Sequence, residues 1–397
     1  MALVERGGVI YLDNAATSWP KPPEVAEAMH EYLEQVGGSP GRSGHRMAIA
    51  AAHLLAEARE SLAELLGADD PARIVFTKNA TEALNLALLS LAPGDHVVTT
   101  SVEHNSVLRP LRALESRGVS VTLVPCSPDG LPDLDALESA LRRRTALVVA
   151  THASNVLGAL VPVERIARLA HEAGAPILVD AAQTAGAVPI DVAALDVDLL
   201  AFTGHKSLLG PPGTGGLWVR EGIELRPLTR GGTGSASELE LQPDFLPDAL
   251  ESGTQNIVGI AGLAAAVRFL SEIGVDAVQR HEQALAARFL AGAACIRGVT
   301  VYGPRAAERR IGLASFNLAG ASPSDLGLIL DRRFAIMARI GLHCAPRAHR
   351  TIGTYPDGAV RFAWSYFTTA EEIDAALAAV RATAERRAEL EPSAVPA

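Results

Sequence analysis

The chain of 397 residues contains 35 basic and 45 acidic side chains, a formal net charge of −10, and is 48% hydrophobic and 20% charged. This composition predicts a globular protein of two or three domains and excludes an intrinsically disordered chain. The net negative charge, without a long basic run, argues against nucleic acid as a partner. The segment 1–10 carries Glu5 and Arg6 and lacks the apolar core of a signal peptide, so we expect a cytoplasmic protein.

From about residue 70, short apolar runs alternate with amphipathic segments such as 81–91 and 163–173. This alternation is typical of a largely parallel sheet connected by crossover helices. Seven strands are predicted, at 74–77, 96–100, 119–124, 146–150, 177–180, 199–203 and 216–219. An uncharged run at 145–163 contains polar residues, Gly158 and Pro162, so it favours a strand leading into a loop, and we expect no membrane contact.

Beyond about residue 260 the pattern changes to that of a smaller α+β unit. Helical runs are predicted at 259–270, 284–294 and 370–390, and strands at 311–318 and 360–366. We therefore predict three parts of the chain. They are an N-terminal segment, 1–20, that packs on the small domain, a large domain, 21–260, and a small C-terminal domain, 261–397.

Polar residues after the predicted strands are candidates for a site, because ligands of such sheets bind beyond the carboxyl ends of the strands. Asn79 and Glu82 form a capping box, and the helix end presents free N–H groups to an anion, although many capping boxes bind nothing. Asp180 ends an apolar strand, where a buried carboxylate needs a cation or a hydrogen-bond donor. Capping of the following loop is an equally good interpretation of Asp180.

Only three of the 35 basic residues are lysines: Lys21, Lys78 and Lys206. Lys206 follows His205 at the end of an apolar strand, where burial would lower its pKa and make the neutral amine a nucleophile. A lysine that extends to solvent is the alternative. The scarcity of lysine favours a chemical role for Lys206.

The three cysteines, Cys126, Cys295 and Cys344, are widely spaced, which predicts reduced thiols without a disulfide framework or a metal site. Cys126 and Cys295 are interpreted as small core residues. Cys344 lies between Gly341 and Pro346 with arginines on both sides. This pattern predicts an exposed, electropositive loop that favours a thiolate and could carry a nucleophile to a site elsewhere.

These motifs resemble the cysteine desulfurase branch of the class V, fold-type-I aminotransferase superfamily, whose members use pyridoxal phosphate. The resemblance covers nearly the whole chain, with motifs in the family's order at 11–17, 77–82, 102–105, 177–183, 201–206, 251–254, 339–346 and 360–362. It implies an α/β fold with a large, mostly parallel seven-stranded sheet domain and a small α+β C-terminal domain. The chain departs from the family pattern at Trp364 and Thr368, which bear on the shape of the substrate pocket.

The resemblance implies a set of cofactor-binding residues: Ala80, Thr81, His104, Asn155, Asp180, Gln183, Thr203, His205, Lys206 and Thr254. Lys206 would be the Schiff-base lysine, Asp180 would pair with the pyridine nitrogen, and His104 would stack on the ring. The two amide side chains of the set would contact the phenolic oxygen. Thr254 resembles a residue that reaches the phosphate of a neighbouring subunit, which implies a homodimer with shared sites.

The resemblance also implies a substrate and a reaction. The implied substrate-binding residues are Asn14, His45, Arg339 and Arg361, with Arg361 on the α-carboxylate. The implied catalytic residues are Lys206, Cys344 and His104. L-Cysteine would become L-alanine, and the sulfur would remain as a persulfide on Cys344 for transfer to an acceptor protein or thiol.

Three alternatives stay open at this point. The enzyme could act as a selenocysteine lyase, or as another class V lyase or aminotransferase in which Cys344 is not catalytic, because a fold does not determine a reaction. A non-catalytic sulfur carrier with the same fold is the third alternative. The presence of both Lys206 and Asp180 argues against that third alternative.

Overall fold

The structure, a computed structural model, describes residues 8–41, 44–141, 144–235 and 238–390. Its larger sheet has seven strands in the order β2-β8-β7-β6-β5-β3-β4. The strands are β2 Ile74–Thr77, β3 His96–Thr100, β4 Ser120–Val124, β5 Leu147–Thr151, β6 Ile177–Asp180, β7 Leu199–Thr203 and β8 Gly215–Val219. β8 runs antiparallel to β2 and β7, and the other pairs are parallel. The predicted α/β architecture is confirmed.

Helices cover both faces of this sheet. They are α1 Pro23–Glu31, α2 Arg46–Leu66, α3 Ala80–Leu88, α4 Asn105–Glu115, α5 Leu134–Leu141, α6 Val163–Glu172 and α7 Ile257–Ile273. The apolar residues of α3 and α4 form the core on one face, and those of the other five helices form the core on the opposite face. Burial on both faces explains why the central strands are continuous apolar runs, such as Leu147–Thr151, rather than alternating ones.

The carboxyl ends of the parallel strands carry polar residues that meet at one edge. β6 lies between β5 and β7, with Thr151 opposite Asp180 and Asp180 opposite Ala201. Thr203 ends β7 two residues further along. Lys206 follows three residues after Thr203, so the pairing of β6 with β7 brings Asp180 and Lys206 to the same edge of the sheet.

A second sheet of five strands has the order β1-β11-β12-β10-β9. Its strands are β1 Ile10–Leu12, β9 Val299–Val301, β10 Leu313–Leu318, β11 Ile336–Gly341 and β12 Ala359–Ala363. The remaining helices are α8 Val275–Ala294, α9 Pro323–Phe334, α10 Pro346–Thr351 and α11 Ala370–Leu390. Apolar residues of α8, α9 and α11 pack on this sheet and form its core.

The predicted boundary at residue 260 falls inside α7, whose buried residues belong to the core of the larger sheet from Ile257 to Leu270. We therefore propose Gly274, between α7 and α8, as the boundary. β1 pairs with β11 in the smaller sheet, while residues 1–7 of the predicted N-terminal segment lie outside the described part of the chain. Among the described helices, none alone is long and apolar enough to cross a membrane, whereas α7 and α8, bent by 79°, meet that requirement as a pair.

The seven strands of the larger sheet lie within one residue of their predicted bounds. The predicted strand 360–366 is wrong at its end, because β12 stops at Ala363 and the Trp364 backbone N–H bonds to the Gly312 carbonyl outside the strand. Three short or charged strands, β1, β9 and β11, were not predicted. β11 carries Arg339, which the prediction placed in a loop. The 21-residue helix α2 was also missed.

Candidate active site

A cavity of about 230 Å³ opens at the carboxyl edge of the larger sheet. All the predicted cofactor-binding residues except Thr254 line it. The complete lining is Asn79, Ala80, Thr81, His104, Ser106, Thr151, Ala153, Asn155, Asp180, Ala182, Gln183, Thr203, His205 and Lys206. Ser106 and Thr151 were not predicted, because neither stands out in the sequence from an ordinary helix or strand end.

One end of the cavity is built to receive an anion. Asn79 caps α3 by accepting a hydrogen bond from the Glu82 N–H at 3.0 Å, and the first two residues of this nine-residue helix, Ala80 and Thr81, line the cavity. The first N–H groups of a helix have no partner within the helix and can bind an anion. Two side-chain atoms that line the same cavity, Thr203 Oγ1 and His205 Nδ1, are buried without a hydrogen-bond partner. A ligand with several acceptor oxygens would satisfy all of these groups.

Asp180 lies at the floor of the cavity and is 5% exposed. Its Oδ1 accepts a hydrogen bond from the Ala182 N–H at 2.9 Å. Burial raises its pKa above the ordinary value, while that hydrogen bond and the nearby Lys206 lower it. Because only one hydrogen bond and Lys206 offset the burial of this carboxylate, a cationic or hydrogen-bond-donating ligand group in the cavity would stabilise it.

Lys206 lies in the same cavity, and desolvation lowers its pKa to about 8, partly opposed by the Asp180 carboxylate. The neutral amine is thus accessible near physiological pH. Lys21 lies behind it and donates to Ser18 Oγ at 2.9 Å and to the His205 carbonyl at 3.4 Å. Burial lowers the pKa of Lys21 to about 8 as well. Lys21 was not predicted to lie here, because its position between two prolines indicates only a loop.

His104 caps α4, and its Nδ1 accepts a hydrogen bond from the Ser106 N–H at 3.1 Å. Burial and the nearby Lys206 lower its pKa to about 4, so the imidazole is neutral at pH 7. Because Nδ1 accepts from a backbone N–H, the ring proton resides on Nε2. The backbone contact fixes the plane of the ring at the wall of the cavity.

The two amides of the predicted set have backbone partners. The Gln183 side chain donates to the Ala15 carbonyl at 3.1 Å, and the Asn155 side chain donates to the His343 carbonyl at 2.7 Å. Gln183 therefore attaches the N-terminal segment to the cavity. Asn155 attaches the turn that carries Cys344.

Cys344 lies in the turn between β11 and α10 and is exposed. His343 and Cys344 have φ angles of 50° and 56°, which residues other than glycine rarely adopt. The Cys344 carbonyl accepts a hydrogen bond from the Asn105 N–H at 2.8 Å. Together with the Asn155 contact to the preceding carbonyl, this bond holds the turn against the wall of the cavity.

Cys344 lies close enough to the cavity that a thiolate there would slightly oppose the desolvation that lowers the pKa of both Lys206 and Arg361. Next to it, His343 Nδ1 lies 3.2 Å from His349 Nε2. Burial lowers the pKa of His343 to about 2 and that of His349 to about 4, so both rings are neutral. The predicted exposure of Cys344 is confirmed, whereas Cys295 is exposed at the end of α8 and its prediction as a core residue is wrong.

Arg361, predicted to bind a carboxylate, is 2% exposed in β12. Its amino groups donate to the Asn155 carbonyl at 3.0 Å and to Asp13 Oδ1 at 2.9 Å. Asp13 also lies 3.8 Å from Arg339. Neither arginine lines the main cavity, but both act electrostatically on Lys206 and lower its pKa. Asp13 was part of a motif in the sequence, yet no role was predicted for it.

Three further predicted residues do not line the main cavity. Asn14 lines a smaller pocket that Lys206 also lines, and its buried amide bonds to the backbone of Tyr11, Trp19 and Ala363. His45 is exposed and caps α2. Thr254 is exposed and lines a separate cavity of about 300 Å³.

Glu103 is a buried group at this edge of the sheet that was not predicted. Its Oε1 accepts hydrogen bonds from Thr100 Oγ1 at 2.7 Å and from the Thr151 N–H at 3.0 Å. Burial, helped by the charge of Asp180, raises the pKa of Glu103 to about 8. A carboxyl directly before His104 gives no sign in the sequence that it is buried.

The chain matches the family model for aminotransferase class V over residues 10–376. It is 38% identical over 373 residues to a probable cysteine desulfurase of Methanothermobacter thermautotrophicus, covering 92% of each chain. It is also 36% identical over 386 residues to a probable cysteine desulfurase of Synechocystis, covering 94% of this chain and 91% of the relative.

Two solved structures share the architecture over nearly their full length. The apo structure of a cysteine desulfurase from Thermococcus onnurineus superposes with a TM-score of 0.90 at 36% identity, covering 95% of both chains. The cysteine desulfurase CsdA from Escherichia coli gives a TM-score of 0.84 at 31% identity, covering 96% of this chain and 94% of the other. The predicted resemblance is confirmed, and the chain belongs to the class V aminotransferase family.

Proposed function

We propose that this protein is a pyridoxal phosphate-dependent cysteine desulfurase that converts L-cysteine to L-alanine and leaves a persulfide on Cys344. The observation that carries the proposal is the placement of Cys344. It is an exposed thiol in a turn that is bonded to Asn105 and Asn155 at the cavity wall, close enough to Lys206 for electrostatic interaction. The relatives named as cysteine desulfurases support this activity over the alternatives.

The cavity fits pyridoxal phosphate. The phosphate would lie against the N–H groups of Ala80 and Thr81 and the unpartnered atoms of Thr203 and His205. Asp180 would then meet the ring nitrogen, which supplies the positive partner that its burial calls for. When bound, the cofactor supplies the electron sink that stabilises negative charge at the α-carbon of the substrate.

Arg361 and Lys206 would orient the substrate and move its proton. The planar guanidinium of Arg361 suits the α-carboxylate because it can fix direction as well as charge. Lys206, whose pKa is lowered to about 8, can accept the α-proton as a neutral amine and return it as an acid. The neutral His104 ring, fixed through Nδ1, would cover one face of the reacting group.

Cys344 would take the sulfur in a step that needs no external oxidant. Its thiolate attacks the substrate sulfur, a sulfur–sulfur bond forms, and the carbon–sulfur bond breaks with its electron pair remaining on carbon. Protonation of that carbon leads to alanine. The persulfide then passes its outer sulfur to an acceptor thiol by an exchange like that between thiols and disulfides.

A homodimer is part of the proposal. Thr254 is exposed beside its own cavity, as expected of a residue that serves a neighbouring subunit. Large apolar side chains are exposed in two segments, Leu33, Met47 and Ile49 in one and Leu239, Leu241 and Phe245 in the other. A β-carbon built on Gly234 would lie 3.7 Å from the Cα atom of Gly41, so the loops that adjoin these two segments approach each other. Such a surface is typical of a subunit interface.

A cytoplasmic location also belongs to the proposal. Cys126, Cys295 and Cys344 are all free thiols in the structure. Persulfide formation and transfer need reduced thiols, which a reducing compartment maintains.

Replacing Cys344 by serine tests the proposed function. Cys344→Ser should bind the cofactor with an unchanged absorption spectrum and should lose alanine formation from L-cysteine in the presence of a reductant. Cys295→Ser, which removes the other exposed thiol, is the matched control and should retain activity. Unchanged alanine formation in Cys344→Ser would instead favour a lyase or selenocysteine lyase in which this thiol is not catalytic.

A further inference from the structure

Asp13 lies between two arginines that face each other across the smaller sheet. Arg339 of β11 and Arg361 of β12 are directly opposite in the antiparallel register. One Asp13 carboxylate oxygen is 2.9 Å from an Arg361 amino group, and the other is 3.8 Å from Arg339. The aspartate therefore contacts both members of a like-charge pair.

The arginine pair needs such a counter-charge. Like charges directly opposite on antiparallel strands are destabilising, and Arg361 is too deeply buried for water to screen it. Cys344 is a further ionisable group that acts on Arg361. The Nε of Arg361 is buried without a hydrogen-bond partner, so the guanidinium retains donor capacity that Asp13 does not use.

We propose that Asp13 sets the net charge of the arginine pair at +1, so that the site accepts amino acids with one carboxylate and discriminates against dicarboxylic ones. This inference rests on the proposed function, in which Arg361 binds the substrate carboxylate. Two arginines and one aspartate leave a single positive charge, which one carboxylate neutralises. A second carboxylate would meet the negative charge of Asp13 instead of a free cation.

Calorimetric titration of the holoenzyme with propionate and with succinate measures how tightly the site binds one carboxylate or two, without turnover. Asp13→Asn keeps the side-chain shape and removes the charge, so propionate should bind about tenfold more tightly. Succinate should gain more than propionate. Arg339→Gln takes the net charge to zero and should weaken propionate binding about tenfold.

The variant that combines Asp13→Asn with Arg339→Gln restores the charge of +1 and should bind propionate within about threefold of the wild-type affinity. A purely structural role of Asp13 predicts another pattern, in which both single variants bind more weakly and the combined variant most weakly. That pattern, or equal affinities in all four proteins, would overturn the inference.

Two further measurements keep the test decisive. If Asp13→Asn does not fold, Asp13→Glu, which keeps the charge, should bind propionate like the wild type while Arg339→Gln binds it more weakly; equal affinities there overturn the inference. Failure of the proposed function has a different readout. It would show as no alanine formation by the wild type, whatever the carboxylate titrations give.

Discussion

Lys206 and Asp180 are both buried, and burial disfavours the charged form of each side chain. Burial lowers the pKa of the lysine and raises that of the aspartate, and each partly offsets the shift of the other. The proposed reaction depends on this balance, because in it Lys206 would react as a neutral amine and Asp180 would hold a positive ring nitrogen.

The rate at which pyridoxal phosphate attaches covalently to the apoprotein should therefore rise with pH through about 8, where Lys206 loses its proton. The Asp180 carboxylate raises the Lys206 pKa, so Asp180→Asn should move the midpoint of this rise to lower pH. Stopped-flow absorbance over a pH series measures both midpoints. A wild-type midpoint near that of free lysine, or a midpoint that moves upward in Asp180→Asn, would contradict this account.

Lysine and cysteine are rare in this chain, so a role that needs an amine or a thiol has few candidate residues. Lys206 and Cys344 were singled out because the chain offers three residues of each type and only these two have suitable surroundings. Cys295 was misplaced, since a helix end in an alanine-rich segment does not reveal which face is buried. Asp13 was missed because its partners are 326 and 348 residues away in strands that the sequence did not fully predict.

At the level of elements, a buried ion pair joins α2 to the segment that precedes α7. Both Arg59 amino groups contact the Glu251 carboxylate, at 2.8 and 2.7 Å, and Glu251 also accepts the Phe76 N–H at 2.6 Å. The Arg59 guanidinium lies 4.5 Å from the centre of the Phe76 ring. This pair fixes the edge strand β2 and, through it, the loop that leads into α3.

Arg59→Met should lower the free energy of unfolding by about 3–5 kcal/mol, because it leaves the Glu251 charge buried without its partner. Removing the exposed Arg288–Asp374 pair by Arg288→Met should have little effect, since water already screens both groups. Urea unfolding of the two variants makes the comparison. Similar losses of stability in both would show that the buried pair does not have the assigned role.

The larger sheet was predictable because its strands are short, apolar and separated by helices, so composition alone marks their ends. In the smaller sheet only β10 and β12 were predicted, because β1 and β9 have three residues each and β11 carries a charge. β1 pairs with the distant β11, with Ile10 opposite Ile336, and β11 mixes apolar residues with the half-buried Arg339. The hydrogen bond from Asn155 to His343, the residue before Cys344, likewise depends on packing between segments 188 residues apart, which no local pattern contains.

Across the whole molecule, buried carboxyl groups couple stability to pH. Glu282 of α8 accepts the Gly312 N–H at 3.2 Å, and burial raises its pKa to about 8. Glu103 has a pKa raised to about 8 in the larger unit. A carboxyl whose folded pKa exceeds its unfolded value of about 4.5 binds a proton on folding, so its contribution to stability falls as pH rises between those two values.

Between about pH 6 and about pH 8 the two carboxyls lower the melting temperature, while histidines that burial keeps neutral, such as His343, act in the opposite direction. Glu282→Gln removes one carboxyl and leaves the histidines unchanged, so its melting temperature relative to that of the wild type should increase from the lower to the higher pH. Differential scanning calorimetry of both proteins at both pH values measures this difference. A difference that does not change with pH would show that Glu282 is ionised in the folded protein.

The proposed function requires Cys344 to receive the sulfur of L-cysteine. Peptide mass spectrometry of the holoenzyme, after brief exposure to isotopically sulfur-labelled L-cysteine without reductant, detects this transfer. We expect labelled sulfur on the peptide that contains Cys344 and an equivalent amount of alanine in solution. Alanine without label on that peptide, or label on Cys126 or Cys295 instead, would contradict the proposed function.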